Sequence, residues 1–411
     1  MARPKLPGPG PGLLGRLALL GALALPLAAC IGGPDGPRAV RGAPPPQAEA
    51  LPAAPGLPGA GAGRIGSGTV KVALILPLSG QGSALGAAMR NAAELAYEEF
   101  QQPDLQILVK DDRASPEGAR EAVQAALAEG ADLVLGPVFA ANVQAAALPA
   151  RNAGKPVIAF STDAAVAARG VYLLSFLPQP EVDRIVDASV ADGKRSFAAL
   201  IPETAYGNAV EAQFREAVAR KGARVVAIER YPAGAPGPAV ERLARVIAGP
   251  APQADALFLP ETADGMPALA AALTKAGYAP GRVRPVGTAV WNEPRLFALP
   301  ALQGGRFAAP DTAGFAGFAG RYQARFGTNP PRVASLAYDA VSLAAALTRR
   351  YGSQRFAEET LTTGAGFAGT DGTFRLMPEG LSERSLAVYE IRNNAVTVMS
   401  PAPRALGKPG T

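Results

Sequence analysis

The side chains most capable of chemistry in this 411-residue sequence are two adjacent carboxylates, Asp111 and Asp112, and a single cysteine, Cys30. Two carboxylates can share general acid and base work on one substrate. Adjacent residues of a strand point to opposite faces, however, so this pair favours a structural role or a place at the rim of a site. The sequence has no histidine, which excludes Ser-His-Asp and Cys-His catalysis and histidine metal sites. We therefore predict a protein that is not an enzyme and that uses no cofactor or metal.

The charge of the chain gives no indication of nucleic-acid binding. The formal net charge is +6, but Arg3, Lys5 and Arg16 precede Cys30 and no acid does. Without those three, 37 of the 40 basic residues remain against 34 acidic ones, and they form no dense block. We therefore predict no nucleic-acid partner.

Residues 1–29 have the layout of a secretory signal peptide. Their apolar run, 17–29, is too short to span a membrane as a stable helix. The run ends in Leu27-Ala28-Ala29-Cys30, which resembles the bacterial lipobox, and this resemblance implies that Cys30 becomes the lipidated first residue of the mature chain. The alternative is an ordinary signal peptide whose cysteine happens to lie at the cleavage point. By the same resemblance, Ile31 in place of an aspartate implies anchoring in the outer rather than the inner membrane.

Residues 31–68 are predicted to be a disordered tether. They contain ten glycines and eight prolines among 38 residues, with almost no apolar periodicity. Such a composition buries too little apolar surface to offset the entropy lost on ordering. Together with the lipidated cysteine, the segment 30–68 is interpreted as a spacer that holds a folded body away from a membrane.

The rest of the chain alternates predicted strands and helices, which indicates an α/β fold of parallel sheets with helices on both faces. Continuous apolar runs at 72–76 and 196–201 are typical of strands buried on both sides. Toward the C-terminus, residues 369–376, 386–392 and 396–399 are predicted to form antiparallel strands instead. Residues 401–411 are predicted to be a loose tail.

Three predicted strands end in a proline that is followed by small or polar residues. These loops are 76–80 (Leu-Pro-Leu-Ser-Gly), 202–205 (Pro-Glu-Thr-Ala) and 260–263 (Pro-Glu-Thr-Ala). Ligands of parallel α/β proteins bind at the carboxyl ends of strands, so Ser79, Gln81 and Glu261 are candidate contacts. The alternative is that these residues are simply the ones favoured in such turns.

Six short motifs in order make the chain resemble the type I periplasmic binding proteins of the leucine/isoleucine/valine class. They are Val72-Ala-Leu-Ile-Leu-Pro-Leu-Ser-Gly80, Asp111-Asp112, Leu135-Gly136-Pro137, Lys155-Pro156-Val157-Ile158, Tyr206-Gly207 and Tyr338-Asp339-Ala340. The resemblance covers about residues 69–400 and implies two Rossmann-like lobes joined by a three-crossing hinge. Lobe one would comprise residues 69–175 and 310–365, and lobe two residues 176–309 and 366–400.

The resemblance also implies a binding cleft between the lobes. Family members that bind amino acids hold the carboxylate with hydroxyls and amides of lobe one, and the ammonium with an acid of lobe two. The corresponding segments here are 140–142 (Ala-Ala-Asn), 161–163 (Ser-Thr-Asp) and 287–291 (Gly-Thr-Ala-Val-Trp), and the last of these contains no acid. The sequence therefore predicts that the clamp for a zwitterion is largely missing. The candidate cleft residues are Ser79, Gln81, Asn142, Ser161, Thr162, Tyr206, Glu261 and Trp291.

Two functions remain open on this resemblance. The first is a non-catalytic, lipid-anchored binding protein that delivers an amino acid or a related compound to the permease of an ABC importer. The second is an activator of penicillin-binding proteins, an outer-membrane lipoprotein of the same fold that regulates a peptidoglycan synthase through protein contacts. The lipobox, the long Pro/Gly/Ala tether and a ligand cleft that has lost most of its clamp are the features shared with such activators. Both functions imply a periplasmic location and membrane contact through the lipid alone.

Overall fold

The computed structural model describes residues 63–101 and 103–406. The predicted signal peptide at 1–29, Cys30, residues 31–62 of the predicted tether and residues 407–411 of the predicted tail lie outside the described residues. Within the described part of the chain, no helix combines the length and the apolar character needed to cross a membrane.

Strands and helices alternate along most of the described chain. The strands are β1 (Gly63–Ile65), β2 (Val70–Leu76), β3 (Leu105–Asp111), β4 (Leu133–Leu135), β5 (Val157–Ala159), β6 (Val171–Leu173), β7 (Ser196–Pro202), β8 (Arg224–Tyr231), β9 (Ala256–Phe258), β10 (Arg284–Gly287), β11 (Arg306–Ala309), β12 (Phe367–Gly369), β13 (Gly372–Leu376), β14 (Ser382–Arg384), β15 (Ala387–Arg392) and β16 (Ala395–Ser400). The helices are α1 (Ser83–Glu99), α2 (Pro116–Ala128), α3 (Ala140–Asn152), α4 (Pro178–Ala191), α5 (Ala205–Arg220), α6 (Gly237–Ile247), α7 (Met266–Lys275), α8 (Thr312–Phe326), α9 (Ala334–Tyr351) and α10 (Glu358–Leu361).

The first lobe is built on a six-stranded sheet with the order β1-β3-β2-β4-β5-β6. All its pairs are parallel except that of β1 with β3. The apolar run of β2 lies in the middle of this sheet and is buried almost throughout, as expected for a strand that is covered on both faces. One core, with Met89 of α1 and Leu336 of α9, covers one face, and a second, with Val123 of α2 and Val143 of α3, covers the other.

The second lobe is built on a seven-stranded sheet with the order β16-β15-β11-β10-β9-β7-β8. The pairs from β11 to β8 are parallel, whereas β15 pairs antiparallel with both β11 and β16. Two further cores lie on the faces of this sheet. The predicted α/β fold with helices on both faces of parallel sheets is confirmed.

The chain crosses between the lobes three times. It passes from β6 of the first sheet to α4 of the second lobe, from β11 back to α8, and from β14 to β15. Two of the crossings contain a proline. Pro178 begins α4, and Pro310 follows β11 and ends it, because proline cannot donate a hydrogen bond to a neighbouring strand. The three-crossing hinge implied by the resemblance is therefore present.

Two expected boundaries differ from the structure. Residues 63–65 of the predicted tether form β1, because Ile65 adds an apolar side chain to the first core and is 7% exposed. Residues 367–384, expected in the second lobe, form a separate antiparallel sheet, β12-β13-β14. Its Phe374 and Leu376 are buried in the core of the first lobe, and only β15 and β16 join the second sheet.

Candidate functional site

A cavity of about 850 Å³ lies between the two lobes, at the carboxyl ends of strands from both sheets. Its lining combines residues that follow β5, β7, β10 and β11 with residues of the crossings. The first lobe contributes Thr162, Asp163, Ala164, Ala165 and Arg332; the crossings contribute Phe176 and Pro310; the second lobe contributes Pro178, Gln179, Glu181, Ala205, Tyr206, Ala209, Ala289, Val290, Asn292, Glu293 and Ala309. This is the crevice position in which α/β proteins bind ligands.

Glu181 is the buried acid of the cavity. It lies in the first turn of α4, where the helix dipole favours a carboxylate, and it is 6% exposed. Its Oε2 accepts a hydrogen bond from the backbone N–H of Ala289 at 3.0 Å. Burial raises the pKa of Glu181 to about 8, although that hydrogen bond and the charge of Arg332 oppose the rise. The carboxyl group is therefore mostly protonated near neutral pH.

Arg332 is the cation of the cavity, and it comes from the other lobe. It lies just before α9 and forms an ion pair with Asp371, whose side chain is fully buried. The guanidinium carbon lies 5.7 Å from the ring centroid of Phe176 and 5.1 Å from that of Phe315, within the range of cation–π attraction. Its Nε is buried and has no hydrogen-bond partner among the described residues. The guanidinium as a whole lines the cavity, so a ligand there would meet its positive charge.

Tyr206 lines the cavity at the start of α5. Its hydroxyl and Oγ1 of Thr288 lie 2.6 Å apart and share a hydrogen bond. Burial, followed by the nearby charge of Glu181, raises the pKa of the Tyr206 hydroxyl, so the group remains neutral. Thr204 caps α5 by accepting a hydrogen bond from the Gly207 N–H at 3.0 Å. A Cβ at Gly207 would lie 1.9 Å from the carbonyl oxygen of Pro202, so only glycine permits this start of the helix.

Two of the predicted cleft residues, Thr162 and Tyr206, line the cavity. Ser79 and Gln81 are exposed and do not line it. The Ser79 N–H donates to Oδ1 of Asp111 at 3.2 Å, which fixes the loop after β2. These two residues therefore lie at the surface of the first lobe in this arrangement.

The other four predicted residues are buried and have partners in the protein. Nδ2 of Asn142 donates to Oδ2 of Asp112 at 2.9 Å, and Oγ of Ser161 accepts from the Asp163 N–H at 3.1 Å. Glu261 accepts hydrogen bonds from the Tyr231 hydroxyl at 2.7 Å and from the backbone and hydroxyl of Thr262. Trp291 is completely buried, and its Nε1–H donates to the Leu259 carbonyl at 2.9 Å.

Trp291 is therefore not among the residues that line this cavity. A large indole with one donor is satisfied in the core of the second lobe.

The adjacent aspartates also act within the protein. Oδ1 of Asp111 accepts from the Leu78 and Arg113 N–H groups at 2.9 and 2.8 Å, and Oδ1 of Asp112 accepts from the Ala114 N–H at 2.8 Å. Burial raises the pKa of Asp112, and the hydrogen bond from Asn142 opposes the rise. The pair thus holds two loops together. In the described chain, no group of acidic or cysteine side chains is arranged to hold a metal ion.

The turn 287–291 contains no acid, but another element of the second lobe supplies an acid to it. Glu181 reaches that turn from α4 and bonds to its backbone at Ala289. Sequence reasoning missed Glu181 because an acid in the first turn of a helix is common for reasons of helix stability alone. It missed Arg332 because nothing in the local sequence distinguishes this arginine from a surface one.

The fold and the site together define a two-lobed binding protein with a cleft between its lobes. The profile of the family described as "Periplasmic binding protein" matches residues 69–395, so the chain belongs to this family. The family assignment made from the six motifs is confirmed, and membership of the family implies a periplasmic location. No curated protein sequence matches the chain.

Solved structures resemble the chain at low sequence identity. One is described as a branched-chain amino acid ABC transporter from Rhodospirillum rubrum, with 22% identity, 80% of this chain and 99% of that chain covered, and a TM-score of 0.70. A second is a solute-binding protein of an ABC transporter from Rhodopseudomonas palustris in complex with 3,4-dihydroxybenzoic acid (20%, 83% and 99%, TM-score 0.58). A third is the branched-chain amino acid binding protein LivJ from Streptococcus pneumoniae in complex with isoleucine (19%, 81% and 100%, TM-score 0.54). At these identities the likeness shows the shared fold.

Proposed function

We propose that this protein is the solute-binding component of an ABC importer and takes a small, amino-acid-like solute into the cleft between its lobes. Family membership supports this, as do the structural neighbours that are solute-binding proteins of such transporters. A cavity of about 850 Å³ also has the size usual for a small-molecule site. The protein acts by binding and release, with the permease of the importer as its partner.

The charged groups that line the cleft determine which class of solute it binds. Beside Glu181, which must ionise to bind a cation, the carboxyl groups of Asp163 and Glu293 line the cleft. They outnumber its one lining guanidinium, that of Arg332, which is already paired with Asp371. A solute that bears an ammonium group meets opposite charge here, whereas a simple organic anion meets repulsion. Because a buried charge without a partner is costly, such an arrangement selects strongly between the two classes.

In the proposed pose, the two ends of the solute bridge the lobes. The ammonium lies against Glu181 of the second lobe, and the carboxylate lies against the guanidinium of Arg332 in the first. The apolar part packs among Phe176, Val290 and Pro310. Thr162 and Tyr206 are proposed as further contacts, since their hydroxyl-bearing side chains lie in the same lining.

Thermal unfolding of the purified protein against a panel of compounds tests the proposal. The panel contains apolar amino acids, short peptides, muropeptides and aromatic acids, and a binder raises the melting temperature according to RT ln(1 + [L]/Kd). We expect a shift with an amino acid that is reduced in Glu181→Gln and kept in Glu203→Gln, a matched change at an exposed loop of the same lobe. A melting temperature that no compound in the panel changes would contradict the proposal.

The N-terminal sequence favours a second candidate function, that of a lipid-anchored activator of a peptidoglycan synthase. Its support is the lipobox-like segment ending in Cys30 and the Pro/Gly-rich residues 31–62, which would give a body held in the outer membrane a long reach. Pull-down of a peptidoglycan synthase with the tethered protein tests this function. Halving the segment 31–62 should then reduce activation, and activity that is indifferent to its length would count against it.

A further inference from the structure

Two acidic side chains line the solvent side of the cleft, and they come from opposite lobes. Asp163 follows β5 in the first lobe, and Glu293 follows β10 in the second. Both residues are exposed, whereas Glu181 in the same lining is buried. We call Asp163 and Glu293 the rim acids, because their exposure places them where the cleft opens to solvent.

The rim acids belong to short turns that are anchored in the cores of the two lobes. A 3₁₀ turn follows Asp163, and its Val166 is buried in the core beneath α2 and α3. Trp291, two residues before Glu293, is buried in the second lobe, and its indole N–H donates to the Leu259 carbonyl at 2.9 Å. The backbone of each lobe therefore holds one rim acid in a fixed position beside the cleft.

Neither rim acid is neutralised by a basic side chain. Oδ1 of Asp163 accepts from the Ala165 N–H at 3.0 Å. Within the described chain, Oδ2 of Asp163 and both carboxylate oxygens of Glu293 have no hydrogen-bond or ion-pair partner. Arg332 is the only basic side chain among the described residues of the lining, and Asp371 already pairs with it. The cleft therefore has more negative charge than its own cation compensates.

A separate observation in the buried part of the cleft also points to a ligand. Oε2 of Glu181 accepts from the Ala289 N–H, but Oε1 of Glu181 has no hydrogen-bond partner in the part of the chain that the structure describes. Such a buried carboxyl oxygen calls for a polar group from a ligand, since an unpaired one is costly. In the proposed pose the α-ammonium of the solute meets Glu181, and this leaves the rim acids without a partner.

A solute with a neutral side chain would leave these two like charges uncompensated when the lobes close. Two-lobed binding proteins close around their ligands by a hinge motion, and a carboxylate that is removed from water without a partner costs free energy. A cation at the far end of the solute side chain would compensate both lobes at once. Its aliphatic stem can pack on Phe176, Val290 and Pro310 while its charged end reaches the rim.

We propose that the solute is a cationic amino acid, whose side chain ends in an ammonium or guanidinium group that lies between Asp163 of the first lobe and Glu293 of the second. This inference rests on the proposed function, because it uses the same cleft and the same positions for the α-ammonium and the carboxylate. The rim acids determine specificity in this arrangement, since they favour a cationic side chain over a neutral one of similar length. They also favour the closed lobes when such a solute is present.

Calorimetric titration of the full-length protein with lysine and with norleucine, at one pH and one ionic strength, tests the proposal. Norleucine has the carbon chain of lysine without the terminal ammonium. We expect the wild type to bind lysine more tightly by roughly tenfold or more, because norleucine lacks the charge-assisted contacts to the rim acids. In Asp163→Asn/Glu293→Gln this preference should largely disappear, through weaker binding of lysine. The matched variant Glu203→Gln/Glu379→Gln removes two exposed acids that do not line the cleft and should keep the wild-type preference.

Two results would overturn the inference and leave the proposed function in place. One is that the wild type binds norleucine as tightly as lysine, and the other is that the preference for lysine persists in Asp163→Asn/Glu293→Gln. Absence of lysine binding also overturns the inference, and the proposed function fails with it only if every compound of the thermal-unfolding panel leaves the melting temperature unchanged. Should the double variant fold poorly, Glu293→Gln alone, which removes no hydrogen bond within the described chain, should still reduce the preference, and an unchanged preference would contradict the proposed contact.

Discussion

Oε2 of Glu181 accepts a hydrogen bond from the Ala289 N–H at 3.0 Å, so the first turn of α4 is joined to the turn that follows β10. This contact places a buried carboxyl group at the cleft with only one backbone donor and the distant charge of Arg332 to stabilise its ionised form. The balance between burial and these two favourable contacts decides how the stability of the protein and its affinity for a charged solute depend on pH.

The stability of the protein should fall between pH 4.5 and pH 8 because of Glu181. Its pKa is about 8 in the folded chain against an ordinary value of 4.5, so the folded state binds the proton more tightly and the contribution is lost as pH rises to 8. Glu181→Gln has no titrating carboxyl group at this position, so its stability does not fall for this reason as pH rises. We expect the variant to match wild type near pH 4.5 and to exceed it by on the order of 3–5 kcal/mol at pH 8. Urea unfolding across this range measures the difference, and a constant difference with pH would contradict the assignment.

The affinity for an ammonium-bearing solute should rise with pH up to about 8. Glu181 must be ionised to hold the ammonium, and below its pKa of about 8 each unit of pH costs about a factor of ten in the ionised fraction. Calorimetry from pH 6 to pH 8 in buffers of different ionisation enthalpy measures both the affinity and the proton released on binding. Glu181→Gln should bind more weakly, without this dependence on pH. Binding by wild type with a flat pH profile and no proton release would contradict the proposed contact.

The sequence predicts the scaffold of this protein better than its site. Continuous apolar runs such as that of β2 identify buried parallel strands, because only a strand covered on both faces can remain apolar throughout. Tyr206 and Thr162 follow strands at the carboxyl edge, so the strand pattern alone places them in the cleft. Glu181 and Arg332 belong to a helix start and a loop that approach the cleft through the hinge, and their meeting depends on how the lobes pack. Trp291 is completely buried, which the sequence alone does not reveal, since a rare aromatic residue in a loop is compatible with either a core or a site.

Glycine at position 207 should be required for the start of α5. A Cβ there would lie 1.9 Å from the Pro202 carbonyl oxygen, so Gly207→Ala must displace the helix start that carries Tyr206. We expect a loss of about 2 kcal/mol or more in the free energy of unfolding, as is common for overpacking. Gly237→Ala, in a helix where an added Cβ meets no atom within 4 Å, is the matched control and should be neutral or slightly stabilising. Equal stabilities of the two variants in urea unfolding would refute the steric argument.

Arg332 should serve both the stability of the first lobe and the affinity for the solute, and two variants separate these roles. Arg332→Met removes the ion-pair partner of the buried Asp371 and leaves it the Ser335 hydroxyl and the more distant charge of Arg384, so we expect a loss of about 3–5 kcal/mol in the free energy of unfolding. The double variant Arg332→Met/Asp371→Asn removes the uncompensated charge and should recover most of that stability. It should not recover the affinity for a solute carboxylate, which we expect to fall at least tenfold because the guanidinium that lines the cleft is lost. Urea unfolding and calorimetric titration of the double variant decide the point, and restored stability together with wild-type affinity would show that Arg332 supports the cleft without contacting the solute.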